Sequence, residues 1–257
     1  MTTVTKMPET QTIDERLYAF LPAESTTADK LREAMDYSVT AGGKRLRPRL
    51  MELCFKAFGG SGSVIEPFMA AIEMIHTYSL VHDDLPCMDN DTLRRGKATT
   101  WSVYGEDMGV LAGDALLTYA FETAAKAFPV SGDPARCGRA IGLLARKAGL
   151  YGMCGGQSLD VLLTGSAPSK EQLDYIYRNK TGALIEAAMM IGAGLAGASD
   201  EALSDVENCA AKIGYAFQIE DDLLDILASE QELGKNIGSD EKNGKVTFVT
   251  LYGREIG

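Results

Sequence analysis

The chain has 257 residues, 46% of them hydrophobic, which allows a globular fold with a sizeable core and excludes a disordered chain. Its 25 basic and 36 acidic side chains give a formal net charge of -11, which argues against nucleic acid and anionic membranes as partners, so any anion site must be local. Five scattered cysteines (Cys54, Cys87, Cys137, Cys154, Cys209) with no CxxC pair exclude a disulfide framework and a zinc pattern, and fit free thiols in a reducing cytoplasm.

From the start, MTTVTKMPETQTIDERL lacks the apolar run of a signal peptide. Gly42 and Gly43 then precede a basic run of Lys44, Arg45, Arg47 and Arg49. The plain reading is a basic loop at a helix start. Its isolation in an acidic chain favours a phosphate site. After the glycine-rich break at 58–63, a helix is expected to open at Pro67, a favoured first-turn residue, and to run through FMAAIEMIHTYSLVHDD. Ile72, His76, Ser79 and Asp83 fall on one stripe of that helix at about 100° per residue. It ends in the first acidic cluster, Asp83, Asp84 and Asp89, interrupted by Pro86. A proline there removes a backbone donor and clashes with the preceding turn, so the helix should stop and let Asp89 curl back toward Asp83. Arg94 and Arg95 follow at once.

Further breaks are expected at 128–134, 164–168 and 197–200. Between them, Lys180-Thr181-Gly182 sits in an otherwise helical stretch of poor helix formers, where a local break is expected. The stretch Ala187 to Ala198 is rich in Gly and Ala and too short to span a bilayer, so it reads as a buried, tightly packed helix. A last helix is expected after Ser199 and Asp200, its N-cap candidates. On it, Gln218, Asp221, Asp222 and Asp225 share one face, and Ile213, Phe217 and Leu224 the opposite one. No convincing strand run appears. The pattern is one all-α domain over 1–257 with about ten helices around a central cavity.

Carboxylates crowded on otherwise apolar helices resist burial unless a cation neutralises them. Oxygen-only clusters suit Mg²⁺, which binds through carboxylates, waters and substrate phosphates. One such cluster alone is usually a solvated face. Two of them, each near separate basic groups, point to a metal and diphosphate site.

Six motifs come in order: GGKRLRPRL, HTYSLVHDDLPCMDNDTLRRGKATT, GQSLDVLLTG, KTGALI, GYAFQIEDDLLDI and GKNIGSDEKNGKVTFVTLYG. Over about residues 12 to 257 the chain resembles the short-chain trans-prenyl diphosphate synthases, and within them the bacterial farnesyl diphosphate synthases. The resemblance implies the isoprenoid (terpenoid) synthase helical bundle, a homodimer, and head-to-tail joining of isopentenyl diphosphate to dimethylallyl and then geranyl diphosphate. It implies three Mg²⁺, with Asp83, Asp89 and Asp221 as direct ligands and Asp84, Asp222 and Asp225 in support. Lys44, Arg47, His76 and Arg95 match the residues that hold isopentenyl diphosphate. Arg94, Lys180, Thr181, Gln218 and Lys235 match those that contact the allylic substrate. Tyr78 and Ser79 match the positions that limit chain length, and an aromatic at Tyr78 suits a farnesyl product. Family members usually continue through further C-terminal helices, which the resemblance implies are missing after Gly257. The alternatives are a geranylgeranyl or geranyl diphosphate synthase with a different cavity floor, a terpene cyclase, which would not need the basic run, and a non-catalytic subunit.

Overall fold

The computed structural model describes residues 12–23, 27–166 and 168–227. Among the described residues, eleven α-helices account for nearly all of the regular structure: α1 (Ile13–Tyr18), α2 (Asp29–Val39), α3 (Leu46–Ala57), α4 (Glu66–Asp83), α5 (Thr100–Tyr104), α6 (Glu106–Ala125), α7 (Pro134–Ala148), α8 (Met153–Leu163), α9 (Lys170–Ile176), α10 (Ala183–Ala196) and α11 (Asp200–Leu227). A π-helical turn, Tyr177–Gly182, joins α9 to α10. The breaks expected at 58–63, 128–134, 164–168 and 197–200 all fall between helices. Those at Gly105 and Gly149–Gly152 do not follow from the sequence pattern, and α1, α5 and α9 are short, at 6, 5 and 7 residues.

The all-α expectation holds, with one small addition: an antiparallel hairpin, β1 (Leu93–Arg94) and β2 (Lys97–Ala98), follows the first acidic cluster. Its two turn residues, Arg95 and Gly96, both have positive φ (54° and 74°), which is what a tight two-residue hairpin turn requires. Strands of two residues are too short to show a period of two.

Helix α4 is the centre of the bundle and packs against α6 on one side and α3 on another. Phe68, Met69, Ile72 and Ile75 along it are completely buried. A helix apolar nearly all round belongs inside a bundle. Helix α10, which contains most of the Gly- and Ala-rich stretch, is likewise buried. Gly192 lets its backbone press onto α3, because a Cβ there would collide with the Met51 carbonyl. Among the described residues no helix is long and apolar enough to cross a membrane.

Arg45 is fully inside the protein rather than on a phosphate-facing loop. It takes a left-handed backbone conformation (φ 49°) at the start of α3. From there its guanidinium donates to Glu73 (2.7 Å), Asp14 (2.7 Å), the Tyr18 hydroxyl (2.9 Å) and the Val39 carbonyl (2.8 Å). One side chain thus ties α1, the end of α2, α3 and α4 together. Burial opposes its charge, and Glu73 more than compensates, so the guanidinium stays protonated.

Candidate active site

The first acidic cluster forms as the proline predicts. Helix α4 ends at Asp83, and the chain folds back so that the Asp89 amide donates to the Asp83 carbonyl at 2.9 Å. Asn90 enables the reversal with a left-handed φ of 54°. Asp83 accepts from Gln157 Nε2 of α8 at 2.7 Å. Asp84 points the other way. It is 3% exposed and receives Arg94 Nε at 2.6 Å. Burial pushes its carboxyl up to about 6, and Arg94 offsets part of that shift. Arg94 belongs to β1, so the hairpin is pinned to the end of α4 by this ion pair.

Next to the acids lies a group of cations. The Arg95 guanidinium donates to the Gly42 carbonyl and lies against Gly43, where any Cβ would meet it. This is a physical reason for the double glycine. Arg47 Nε is buried with no acceptor among the described residues. Burial, and then the nearby charge of Arg95, lower Arg47 to about 10. His76 is held well below its usual range, first by burial and then by Arg47, Arg95, Arg94 and Arg45. Its imidazole is therefore neutral at pH 7. A cluster of like charges with an unsatisfied donor is costly unless an anion joins it.

The π-turn brings in a third group. Lys180 Nζ donates to Asp160 of α8 at 2.6 Å, and Thr181 Oγ1 donates to Gln218 of α11 at 2.6 Å. Gln218 Nε2 in turn donates to Asp222 at 3.0 Å, and the Tyr177 hydroxyl donates to the same carboxylate. Asp222 is 2% exposed, so it faces into the bundle, while the half-buried Asp221 is turned about 100° round the helix from it. Ser199 caps α11 by accepting from the Ala202 amide at 3.2 Å. Ile213 and Phe217 pack against the apolar cluster of Ile185, Met189 and Ala193 on α10, with Asp221 only about 40° round the helix from Phe217.

One cavity of about 660 Å³ joins these parts. Arg47, His76, Asp83, Lys180 and Thr181 line it, together with Tyr78 and Ser79. Its remaining wall is largely apolar, with Leu80, Leu85, Met88, Val110, Met153, Val161 and Leu162. Tyr78 and Cys154 face each other across α4 and α8, with Oη and Sγ 3.3 Å apart. Burial raises the Tyr78 phenol far above its ordinary value, so it stays neutral. Asp89, Gln218 and Asp222 are joined to the lining residues through the bonds above, whereas Arg94 and Arg95, bonded to Asp84 and to the Gly42 carbonyl, stand outside the lining. Lys44 is exposed and does not line the cavity, so the basic run divides into an internal tie (Arg45), a cavity residue (Arg47) and an outer lysine. Lys235 and the side chain of Asp225 lie outside the described residues.

Gln157, Asp160 and Tyr177 are partners that the residue-by-residue reading did not single out. Gln157 and Asp160 are three apart on α8 and so share a face, a signal present in the sequence. His82 packs on Gly113 and has Nε2 3.0 Å from the Val110 carbonyl, and it also lines the cavity. Gly156 lets α8 approach the π-turn, since a Cβ there would strike the Lys180 backbone. Gly156→Ala is therefore expected to cost about 1–3 kcal/mol, read as a lower urea midpoint with an unchanged m-value.

Among the described residues, no three His, Cys, Asp or Glu side chains gather closely enough to cage a metal ion alone. The donors present still fit Mg²⁺, which takes one or two carboxylates and completes its shell with waters and substrate phosphates. Asp83 lines the cavity together with the unsatisfied Arg47, and Asp89 follows it in the folded-back loop, so both are oxygen donors of the right chemistry.

Residues 28–256 match the family model of the polyprenyl synthetases. The chain is 50% identical over 226 residues to a chloroplastic geranylgeranyl pyrophosphate synthase of Catharanthus roseus, covering 87% of this chain and 63% of that protein. It is 46% identical over 222 residues to a farnesyl diphosphate synthase of Geobacillus stearothermophilus, covering 86% of this chain and 75% of that one. Among solved structures, it superposes with a TM-score of 0.84 and 34% identity on a Helicobacter pylori geranyltransferase complexed with magnesium and isoprenyl diphosphate, covering 95% of this chain and 82% of that one. The all-α fold is that of the isoprenyl synthases, and the chain belongs to the polyprenyl synthetase family. It spans less than two thirds of the length of the Catharanthus relative.

Proposed function

We propose that the chain elongates prenyl diphosphates, joining isopentenyl diphosphate head to tail to an allylic diphosphate in a Mg²⁺-dependent reaction. The observation that carries this reading is the single cavity in which Asp83, the Arg47 and His76 group, and Lys180 with Thr181 meet above an apolar wall. A two-diphosphate reaction needs both anion-holding groups at one end and room for a hydrocarbon at the other. The Helicobacter relative that binds magnesium and isoprenyl diphosphate supports the same ligands here.

In this reading Asp83, Asp89 and Asp221 hold the metal, with Asp84, Asp222 and Asp225 in support. Bound Mg²⁺ would neutralise charge on the departing diphosphate. Lys180, Thr181, Gln218, Arg94 and Lys235 orient the allylic diphosphate so that its carbon–oxygen bond breaks with the negative charge already met by donors. Arg47 and Arg95, with neutral His76 as a hydrogen-bonding partner and Lys44 at the rim, hold the isopentenyl diphosphate. Its double bond attacks the allylic carbon and a proton is then lost, with the departed diphosphate as the base. The apolar lining excludes water, which would otherwise capture the cation. No protein nucleophile is required. The reading includes a single domain over 1–257 and a homodimer acting in the cytoplasm.

Incubation with both five-carbon diphosphates, with and without Mg²⁺, tests the activity. Metal-dependent incorporation of labelled isopentenyl diphosphate is the expected result. No incorporation with metal at saturating allylic substrate would favour a non-catalytic subunit.

For the product, we infer farnesyl diphosphate from the bulk of Tyr78 five residues before Asp83, where it lines the cavity with its hydroxyl against Cys154. The geranylgeranyl alternative has its own support in the Catharanthus relative. Tyr78→Ala is expected to shift the main product from farnesyl to geranylgeranyl diphosphate, as seen by chromatography. An unchanged length would remove Tyr78 from the account.

A further inference from the structure

Helix α11 and the π-turn are joined by side chains at regular intervals. Tyr215, Gln218 and Asp222 stand at spacings of three and four, which puts them on one stripe. Tyr215 donates to Asp174 of α9 at 2.7 Å, Gln218 takes the Thr181 hydroxyl at 2.6 Å, and Asp222 takes the Tyr177 hydroxyl. Gly214 lets α11 press close at the same level, where a Cβ would stand 2.7 Å from Gly182 Cα. The Tyr177 ring is 5% exposed and tilts against the Tyr215 ring, with centroids 5.7 Å apart.

A buried carboxylate is costly without hydrogen-bond donors, and Asp222 has them from both elements at once. In the sequence Asp221 and Asp222 are adjacent acids on one helix face, and only the family resemblance ranks one as a ligand and the other as support. The structure separates the two, because Asp222 is spent inside the bundle and Asp221 is not on the same stripe. Lys180, next to Thr181, is held from the other side by Asp160.

We propose that Tyr177 is a positioning residue, whose buried hydroxyl bond to Asp222 fixes the register between the π-turn carrying Lys180 and Thr181 and the helix carrying Asp221. The proposal rests on the functional reading above for its kinetic consequences and on geometry alone for its structural ones. Tyr177 touches no substrate in this scheme. It acts through Asp222, so that the metal-holding acid of α11 and the cation of the π-turn face the same diphosphate at a fixed spacing.

Tyr177→Phe removes one oxygen and keeps the ring. The concentration of Mg²⁺ at half-maximal rate is expected to rise about tenfold, with the KM for the allylic substrate. The KM for isopentenyl diphosphate, governed in this reading by Arg47 and Arg95, which have no bond to the π-turn or α11, should change less than about twofold. A purely structural role would instead lower kcat while leaving the half-saturating Mg²⁺ where it was, and that result would overturn the proposal. A double-mutant cycle adds a second check. Asp222→Asn combined with Tyr177→Phe should raise the half-saturating Mg²⁺ no further than the more severe single variant, whereas independent, multiplying effects would contradict the link.

Amide hydrogen exchange on the substrate-free protein separates failure of this inference from failure of the functional reading. In Tyr177→Phe the amides of 177–182 and 215–222 should exchange about tenfold faster than in the wild type, while those of α4 stay as they are. Equal exchange in the two proteins would sink the latch, whether or not the enzyme turns over.

Discussion

Asp83→Asn is expected to lower kcat/KM for the allylic substrate by about 10³-fold, or about 4 kcal/mol of transition-state stabilisation. Asp83 lines the cavity at the end of α4, and its neighbour in the folded-back loop is Asp89. Asparagine keeps the size and one oxygen but loses the charge that a hard divalent cation requires. Gln157 can still bond to the remaining oxygen, so the fold should survive. The substitution therefore separates chemistry from stability. Circular dichroism and the melting temperature should be close to wild type while turnover collapses. Steady-state kinetics at several Mg²⁺ concentrations would check this. A loss that excess Mg²⁺ fully restores would place Asp83 in metal affinity alone.

Glu73→Ala carries the largest expected effect on stability, about 3–5 kcal/mol. Glu73 and Arg45 form an ion pair at 2.7 Å, with side chains 3% and 1% exposed. Removing the carboxylate leaves a buried guanidinium supported by Asp14, whose side chain is 45% exposed. An unmatched buried charge costs more than the pair itself contributes. Differential scanning calorimetry should show the melting temperature falling by roughly 10 °C. Glu73 also offsets the positive field at Arg47 and Arg95, so its loss should weaken packing of the whole cation group. A change of less than about 1 kcal/mol would mean that Arg45 finds other partners, and that the tie among the first four helices is not the source of their arrangement.

The parts of this fold that the sequence discloses are those set by a repeating pattern or a backbone restriction. Helices α4 and α11 begin within a residue of where Pro67 and Ser199 place them. Pro86 correctly marks the end of α4, and the fold-back to Asp89 follows from it. The local break at Lys180-Thr181-Gly182 is real and takes the form of a π-turn, although its type could not be read from poor helix formers alone.

What the sequence conceals is partnership across the bundle. Four adjacent cations look equivalent in a string, yet Arg45 turns inward because its left-handed backbone sends it toward Glu73, while Lys44 stays outside. Within each acid pair, Asp84 and Asp222 look like Asp83 and Asp221 until tertiary packing supplies Arg94 to one and Tyr177 to the other. The two-residue strands that seat Arg94 are below the length at which alternation can be seen. Gln157 and Asp160 were visible as a same-face pair, but only the position of α8 shows that one meets Asp83 and the other Lys180.

In the proposed function, carboxylates at the end of α4 and on α11 face one another across a Mg²⁺-bound diphosphate. A crystal structure of the full chain with Mg²⁺ and a non-reacting allylic thiodiphosphate tests it directly. Metal density bridging the diphosphate to Asp83 and Asp89 on one side and Asp221 on the other, with Lys180 on the same phosphates, is the predicted result. A diphosphate seated elsewhere, or one bound in the cavity with no metal contact to either acidic wall, would contradict it.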